Sequence, residues 1–283
     1  MTDRILALVD GSAYAESVCR HAAWAASRLG AGVDLLHVLG RREAPTADLS
    51  GALGLGARSA LLAELSALDA ERARLSQARG RALLDDARAL VEAQGVAAVT
   101  QRLRQGDLLD AVAEVEPDTR AVVIGKRGEA AGFARGHLGS NLERVVRASR
   151  VPVLVASRAF RPIGRAAVAF DGSASVERAI ERMVGNPVFE GLEVTLVHAG
   201  TETPELRARL DRAVRRLAVS GIEARGGVVP GEPEAVLGRL VEEERLDLLV
   251  MGAYGHSRIR SLVVGSTTTA MIRACRVPVL LYR

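Results

Sequence analysis

Short apolar runs alternate with longer helix-like segments along the first half of the chain. The runs that predict buried strands are Arg4–Val9, Val33–Val38, Ala97–Leu103, Ala121–Ile124 and Pro152–Val155. Helical patterns separate them and cover Tyr14–Leu29, Arg58–Gln94, Leu108–Val115 and Leu142–Ala148. Strands that alternate with helices predict crossover connections, and therefore a parallel sheet with helices on both faces.

The second half repeats this order in a shorter form. Its predicted strands are Ala166–Phe170, Glu193–His198, Glu223–Val229, Leu246–Met251 and Val279–Tyr282. The helical insertion that only the first half has covers approximately residues 41–94 and carries Leu61, Leu65, Leu68 and Leu75 at helical spacing. We interpret it as a long helix that covers the sheet; a lid over a ligand site and a partner-binding surface are the alternatives.

Sequence motifs recur at corresponding places in the two halves. The first apolar run of each half ends in Asp-Gly-Ser, at Asp10 and at Asp171. Each half closes with Gly-Ser, at Gly139 and Gly265, and then with Arg-Val-Pro-Val-Leu at identical spacing. A repeat of this length is a duplicated domain and not a solenoid unit. The predicted domains are residues 1–158 and 163–283.

Composition and charge narrow the class of protein. The 283 residues are 48% hydrophobic, which suffices for two cores, and the net charge of +4 arises from interleaved acids and bases. Aromatic residues make up only 3%, which argues against stacking on nucleic acid. Cys19 and Cys275 are isolated, and the five histidines are scattered, so no metal site is predicted. Without a signal peptide or a membrane-length apolar run, we expect a cytoplasmic protein with no membrane or nucleic-acid partner.

The second half carries a glycine loop of the kind that binds phosphate. Gly252-Ala-Tyr-Gly255 follows an apolar strand, and after nine residues Gly265-Ser266 leads into a helix. Glycines let the backbone approach an anion closely, and the N-terminus of a helix adds N–H donors and a favourable dipole. The basic side chains between the glycines are His256, Arg258 and Arg260. We therefore predict a nucleotide phosphate site here.

The first half carries a less regular version of this loop. Gly125-Lys126-Arg127-Gly128 is followed by ten residues and then by Gly139-Ser140. Lys126 is the single lysine among 38 Lys and Arg residues, and it is either a phosphate contact or a solvated lysine on a turn. The longer interval makes this the weaker of the two candidate sites.

Two aspartates stand where the first strand of each half ends. Asp10 and Asp171 lie at the carboxyl edge, where open α/β sheets bind ligands. Asp-Gly-Ser is also a good turn and helix start, so a local turn is the alternative. His37 and His198 are expected to end strands, and no plausible nucleophile–base pair is present.

Prolines mark the last predicted strand of each half. Pro152 and Pro278 belong at a strand start or at a sheet edge because proline lacks a backbone donor. An exposed apolar edge invites association, and a duplicated chain can cover one copy with the other. We therefore predict an internal pseudo-dimer in which the two last strands pair.

Taken together, these motifs resemble the universal stress protein family in its tandem, UspA-like form. Members of this family that bind ATP carry Gly-x2-Gly-x9-Gly-Ser/Thr, and the second half matches it in full at Gly252, Gly255, Gly265 and Ser266. The resemblance covers essentially the whole chain. It implies two Rossmann-like α/β domains of the adenine nucleotide alpha hydrolase-like type, each with a five-stranded parallel sheet of order 3-2-1-4-5.

The resemblance also implies where a nucleotide binds. In the second domain the candidate binding residues are Asp171, Ala199, Met251, Gly252, Gly255, His256, Arg258, Gly265, Ser266 and Thr267. Of these, Asp171 and Ala199 would border adenine, and Gly265, Ser266 and Thr267 would hold the phosphate tail. In the first domain the candidates are Asp10, Val38, Gly125, Lys126, Gly128, Gly139 and Ser140. There the ten-residue interval, and Asn141 in place of Thr267, depart from the family pattern.

The function that the resemblance implies is an ATP-binding stress-response protein that senses or regulates through nucleotide state. The expected ligand is ATP, with or without magnesium, and the expected enzymatic activity is at most slow hydrolysis, since no general base is identifiable. A homodimer of whole chains is a further expectation. The alternatives are an interaction scaffold with one or both nucleotide sites vestigial, and a metabolic enzyme.

Overall fold

The computed structural model describes residues 3–40, 55–128, 140–253 and 266–283, and gives the backbone alone for residues 55–60 and 140. The strands are β1 (Arg4–Leu8), β2 (Gly32–Leu39), β3 (Val99–Gln105), β4 (Thr119–Gly125), β5 (Val153–Ala156), β6 (Arg165–Ala169), β7 (Glu193–Ala199), β8 (Glu223–Val229), β9 (Leu248–Gly252) and β10 (Val279–Tyr282). The helices are α1 (Ala15–Leu29), α2 (Leu55–Glu92), α3 (Leu108–Val115), α4 (Ser140–Ala148), α5 (Ala174–Met183), α6 (Pro204–Val219), α7 (Pro233–Glu243) and α8 (Ser266–Ala274).

All ten strands form one sheet in the order β3-β2-β1-β4-β5-β10-β9-β6-β7-β8. Within each half the order is therefore 3-2-1-4-5, and every pairing inside a half is parallel. Two apolar clusters, one on each face, include residues of both halves. Burial on both faces explains why the central strands are continuous apolar runs. The predicted α/β fold is confirmed.

The halves meet through their last strands. β5 and β10 pair antiparallel, with Leu154 opposite Leu280 at the centre. Pro152 and Pro278 precede the two strands, so neither removes a donor from the ladder. Each apolar edge is thereby covered by the other, and the predicted internal pseudo-dimer is confirmed.

The long helix α2 has two different parts. Leu84, Ala87 and Val91 are buried on the sheet, as expected for a cover helix. Toward the N-terminal end of the helix, the exposed large apolar side chains are Leu62, Leu65, Leu68 and Leu75. The segment that leads into α2 lies outside the described residues, so the lid interpretation stays a prediction.

No helix among the residues that the structure describes is long and apolar enough to span a membrane.

Candidate functional site

A cavity of about 310 Å³ opens at the carboxyl ends of the central strands in the second half. It is lined by Ala169, Phe170, Asp171, Val197, His198, Ala199, Pro233, Leu237, Met251, Gly252, Ser266, Thr267 and Thr268. β6 lies between β7 and β9, so the chain reverses its direction of winding at this point of the sheet. Ligands of open α/β sheets bind at such a switch point.

Asp171 stands on the turn between β6 and α5. One carboxylate oxygen accepts a hydrogen bond from the Ser173 N–H at 2.8 Å, and the Ser173 hydroxyl accepts from the Val176 N–H at the start of α5. Gly172 has φ +69° in this turn, and its carbonyl accepts a hydrogen bond from Arg209. The two interpretations of Asp171 are therefore compatible, since it shapes a turn and lines the cavity.

Gly252 ends β9 against the start of α5. A Cβ atom at this position would contact the Ser175 hydroxyl and would lie 3.0 Å from Ser175 Cβ. The Gly252 carbonyl accepts a hydrogen bond of 3.1 Å from the Thr268 hydroxyl of α8. Glycine is thus required here by close packing, which brings β9, α5 and α8 together beside the cavity.

The first turn of α8 forms the polar end of the cavity. Ser266, Thr267 and Thr268 line it. The first N–H groups of a helix have no intrahelical acceptor, and the helix dipole makes this end attractive to anions. The arrangement fits a phosphate group at this end.

The apolar wall of the cavity was not predicted from the sequence. Pro233 and Leu237 come from the first turns of α7 and lie four residues apart, which places them on one face of the helix. Proline at the start of a helix was the available signal, but it marks a boundary and not a ligand contact. Thr268 was also missed.

His198 is the second-last residue of β7 and also lines the cavity. Its Nδ1–H donates a 2.9 Å hydrogen bond to the carbonyl of Phe170. His37 makes the corresponding bond to the Val9 carbonyl at 2.8 Å in the first half. Each histidine thus ties the ends of two neighbouring strands together, in agreement with its expected role.

In the first half, the candidate residues are packed against the chain itself. Asp10 accepts a 3.0 Å hydrogen bond from the Ser12 N–H, and a Cβ at Gly128 would lie 2.9 Å from the Asp10 carboxylate. A Cβ at Gly125 would lie 2.7 Å from Cβ of Tyr14. Val38 is the second-last residue of β2, and Ser140 begins α4.

Neither of the two roles considered for Lys126 matches its position. Its side chain is buried, at 8% exposure, and the ammonium donates a hydrogen bond to the carbonyl of Cys275 in the other half. Burial lowers the pKa of Lys126 and raises the pKa of the Cys275 thiol. Because the ammonium points into the junction between the halves, we exclude Lys126 from the first nucleotide site.

The remaining candidates lie outside the described residues. They are Gly139, Gly255, His256, Arg258 and Gly265. Within the described ranges, no group of three or more His, Cys, Asp and Glu residues could hold a metal ion. Burial raises the pKa of Cys19 to about 12, so this thiol is a core residue and not a nucleophile.

Comparison with known proteins identifies relatives along the whole chain. The model described as the universal stress protein family matches residues 1–157 and 199–283. Universal stress protein Slr1230 of Synechocystis is 35% identical over 284 residues, which cover 99% of each chain.

A solved structure agrees in fold over the whole chain. A universal stress protein from Archaeoglobus fulgidus superposes over 100% of this chain and 99% of its own, with a TM-score of 0.74 and 22% identity. A universal stress protein in complex with cAMP is 27% identical and covers 44% of this chain and 98% of its own, with a TM-score of 0.38. The family match and the full-length relative show that this chain belongs to the universal stress protein family.

Proposed function

We propose that this chain is a cytoplasmic ATP-binding stress-response protein whose principal nucleotide site is the cavity of the second half. The observation that carries the proposal is the convergence of Asp171, Gly252 and the first turn of α8 on one cavity. Its volume lies at the lower end of the range of small-molecule sites. Around it, an apolar wall faces a polar end, as an adenine nucleotide requires.

The nucleotide is oriented by this polarity. Adenine lies near Asp171 and the backbone of Ala199, against the apolar surface of Pro233, Leu237 and Met251. Gly252 and Gly255 adjoin the ribose and the first phosphate. The phosphate tail reaches Gly265, Ser266 and Thr267, where helix N–H groups and the basic His256 and Arg258 offset its charge. A magnesium ion in such a site is held mainly by the phosphates.

Hydrolysis is at most slow in this proposal. Water attack on a phosphate needs a base or a water-orienting side chain within hydrogen-bond reach. In the described part of the cavity, the titratable lining side chains are His198, which donates its Nδ1–H to the Phe170 carbonyl, and Asp171, which accepts the Ser173 N–H. We propose that the site binds and reports nucleotide state, and the turnover assay below tests whether either side chain acts as a base.

Mass spectrometry of the ligand released from untreated protein tests this function. We expect an adenine nucleotide at close to one per chain. An ATP turnover assay on the same sample is expected to stay far below about one per second, the lower limit of ordinary enzyme rates. Faster turnover would contradict a binding role, and a released ligand without an adenine base would contradict the assignment of the cavity.

A second candidate function, self-association through α2, rests on the leucines that the helix leaves exposed. Leu65, Leu68 and Leu75 are 37%, 50% and 53% exposed. With Leu61 they form a stripe along α2 that lies about 100° around the helix from the face that packs on the sheet. Such a stripe is a coiled-coil seam without its partner.

The charges on this stripe favour a second copy of the chain in antiparallel orientation. Arg72 and Arg79 lie among the leucines. A parallel pair in register would place each arginine opposite its own copy, which like-charge repulsion disfavours. An antiparallel pair can instead place Arg72 opposite Leu68 and beside Asp69 of the second copy.

Light scattering coupled to gel filtration tests this second function. We expect the wild-type chain to be a dimer, and the double variant Leu65→Glu/Leu68→Glu to be a monomer. Leu62→Glu is the matched control, because Leu62 is 52% exposed on the same helix but lies off the stripe. A monomeric wild type, or a dimer that survives the double substitution, would refute the pairing.

A further inference from the structure

The two halves differ in how they hold the helix that follows the glycine loop. In the first half this helix is α4, and the exposed guanidinium of Arg283 from the second half donates a 2.9 Å hydrogen bond to the Arg147 carbonyl in its last turn. Ser149 donates a 2.8 Å hydrogen bond to Glu116, which also accepts the Arg150 N–H at 2.7 Å. Residues of the first half thus fix the chain just after α4, while a carbonyl of its last turn accepts from the exposed Arg283 of the second half.

In the second half the corresponding helix is α8, and its cap comes from the other half. Cys275 still donates its N–H to the Met271 carbonyl at 2.8 Å, so its own carbonyl belongs to the last turn of the helix. This carbonyl accepts the hydrogen bond from the buried ammonium of Lys126. A cation at a helix C-terminus stabilises the helix through the dipole and satisfies a carbonyl that has no intrahelical donor.

Lysine at position 126 is a specific choice in this chain. Arginine supplies every other Lys-or-Arg position in the sequence. An ammonium is a compact point charge, whereas a guanidinium is a wide planar fork, and a buried space built for the first rejects the second. The corresponding residue of the second loop, directly after its first glycine, is Ala253, which is buried and carries no charge. Of the two glycine loops, the first can therefore place a cation from this position at the helix of the other half, and the second cannot.

We propose that Lys126 is a positioning residue for the nucleotide site of the second half: by capping the C-terminal end of α8, it holds the N-terminal turn of that helix at the phosphate end of the cavity. α8 has nine residues, which is about 13 Å of rigid helix. A shift at Cys275 is therefore transmitted to Ser266 and Thr267. This proposal rests on the nucleotide function proposed above.

Titration with ATP and with adenosine tests the role of Lys126. Lys126→Met keeps the length of the side chain and removes the charge; it should weaken ATP binding by about fivefold, the effect of an ordinary helix-terminus charge. Adenosine has no phosphate to meet α8, so its affinity should change less than about twofold. Lys126→Arg should not restore ATP affinity, because the wide guanidinium group does not fit the buried space that holds the ammonium. The matched control is Arg127→Met, which removes the same charge from the exposed neighbour and should affect neither ligand.

A second measurement separates this proposal from the nucleotide function itself. Hydrogen exchange of the α8 amides without any ligand should be faster in Lys126→Met than in wild type or Arg127→Met. A wild-type chain that binds no nucleotide would refute the proposed function, while exchange would still report whether Lys126 holds α8. Equal losses of ATP and adenosine affinity, or unchanged exchange in α8, would overturn the positioning role.

Discussion

Replacing Gly252 with alanine is expected to lower the affinity for ATP by at least about tenfold, or 1.4 kcal/mol. The added Cβ would contact the Ser175 hydroxyl and approach Ser175 Cβ to 3.0 Å. Because Ser175 lies in the buried first turn of α5, either that turn or the end of β9 must move. Both border the cavity, and Gly252 also accepts the hydrogen bond that fixes α8 through Thr268.

A compensating substitution makes this prediction specific. Ser175→Gly removes the two atoms that the new Cβ would approach too closely and leaves an ordinary contact of 3.5 Å with the Val176 N, and Gly252 does not have the positive φ that would itself exclude alanine. The double variant Gly252→Ala/Ser175→Gly should therefore recover most of the lost affinity in calorimetric titration. Loss that persists in the double variant would show that packing against α5 is not why Gly252 is needed. Unimpaired binding by Gly252→Ala alone would remove Gly252 from the site.

Acidification is expected to destabilise the chain through His21. This side chain is fully buried in α1, where Nδ1–H donates to the Ser17 carbonyl at 2.7 Å and the ring meets Phe160 edge-on at 5.0 Å. Nε2 has no hydrogen-bond partner among the described residues. Burial consequently lowers the pKa of His21 from 6.5 to about 4.

Whether acid raises or lowers the free energy of unfolding depends on which state of the chain, folded or unfolded, binds the proton at the higher pH. The unfolded chain binds a proton at His21 as the pH falls through 6.5, and the folded chain binds it only near 4. The free energy of unfolding is therefore unaffected by this group above 6.5, decreases between 6.5 and 4, and is constant below. The loss is about 3 kcal/mol in total.

Chemical denaturation at a series of pH values measures this loss. His21→Leu should remove most of the slope between pH 6.5 and 5.5, because the carboxylates of the unfolded chain bind protons only closer to their ordinary pKa values of 3.8 and 4.5. The carboxylates whose pKa is lowered by a neighbouring arginine are Glu71, Asp107, Glu114 and Glu202. A slope that is the same in wild type and variant would assign the acid sensitivity to other groups.

The fold followed from features that are local in the sequence. Strands buried on both faces must be apolar throughout, so runs such as Ala121–Ile124 and Val279–Tyr282 mark them directly. Pro152 and Pro278 also indicated the strands that pair between the halves, because proline at a strand start leaves the ladder intact. The recurrence of Asp-Gly-Ser at the end of the first strand then showed which strands of the two halves correspond to each other.

The parts of the site that were missed depend on contacts between distant segments. Pro233 and Leu237 reach the cavity from α7, and nothing in their own pattern distinguishes that face from an ordinary core face. Lys126 was interpreted from its glycine neighbours, but the β5–β10 junction brings the end of α8 beside it. A sequence pattern predicts whether a residue is buried, but it does not predict which distant residue that side chain contacts.

Calorimetric titration of ATP into wild type, Gly265→Val and Gly139→Val shows which half holds the principal nucleotide site. The second half has the glycine spacing from which we predict ATP binding, whereas the first has a longer interval, and Gly125 and Gly128 are packed on Tyr14 and Asp10. We expect about one ATP per wild-type chain, binding lost in Gly265→Val because a branched side chain blocks the phosphate position, and binding retained in Gly139→Val. Binding that is lost in Gly139→Val and kept in Gly265→Val would place the principal nucleotide site in the first half.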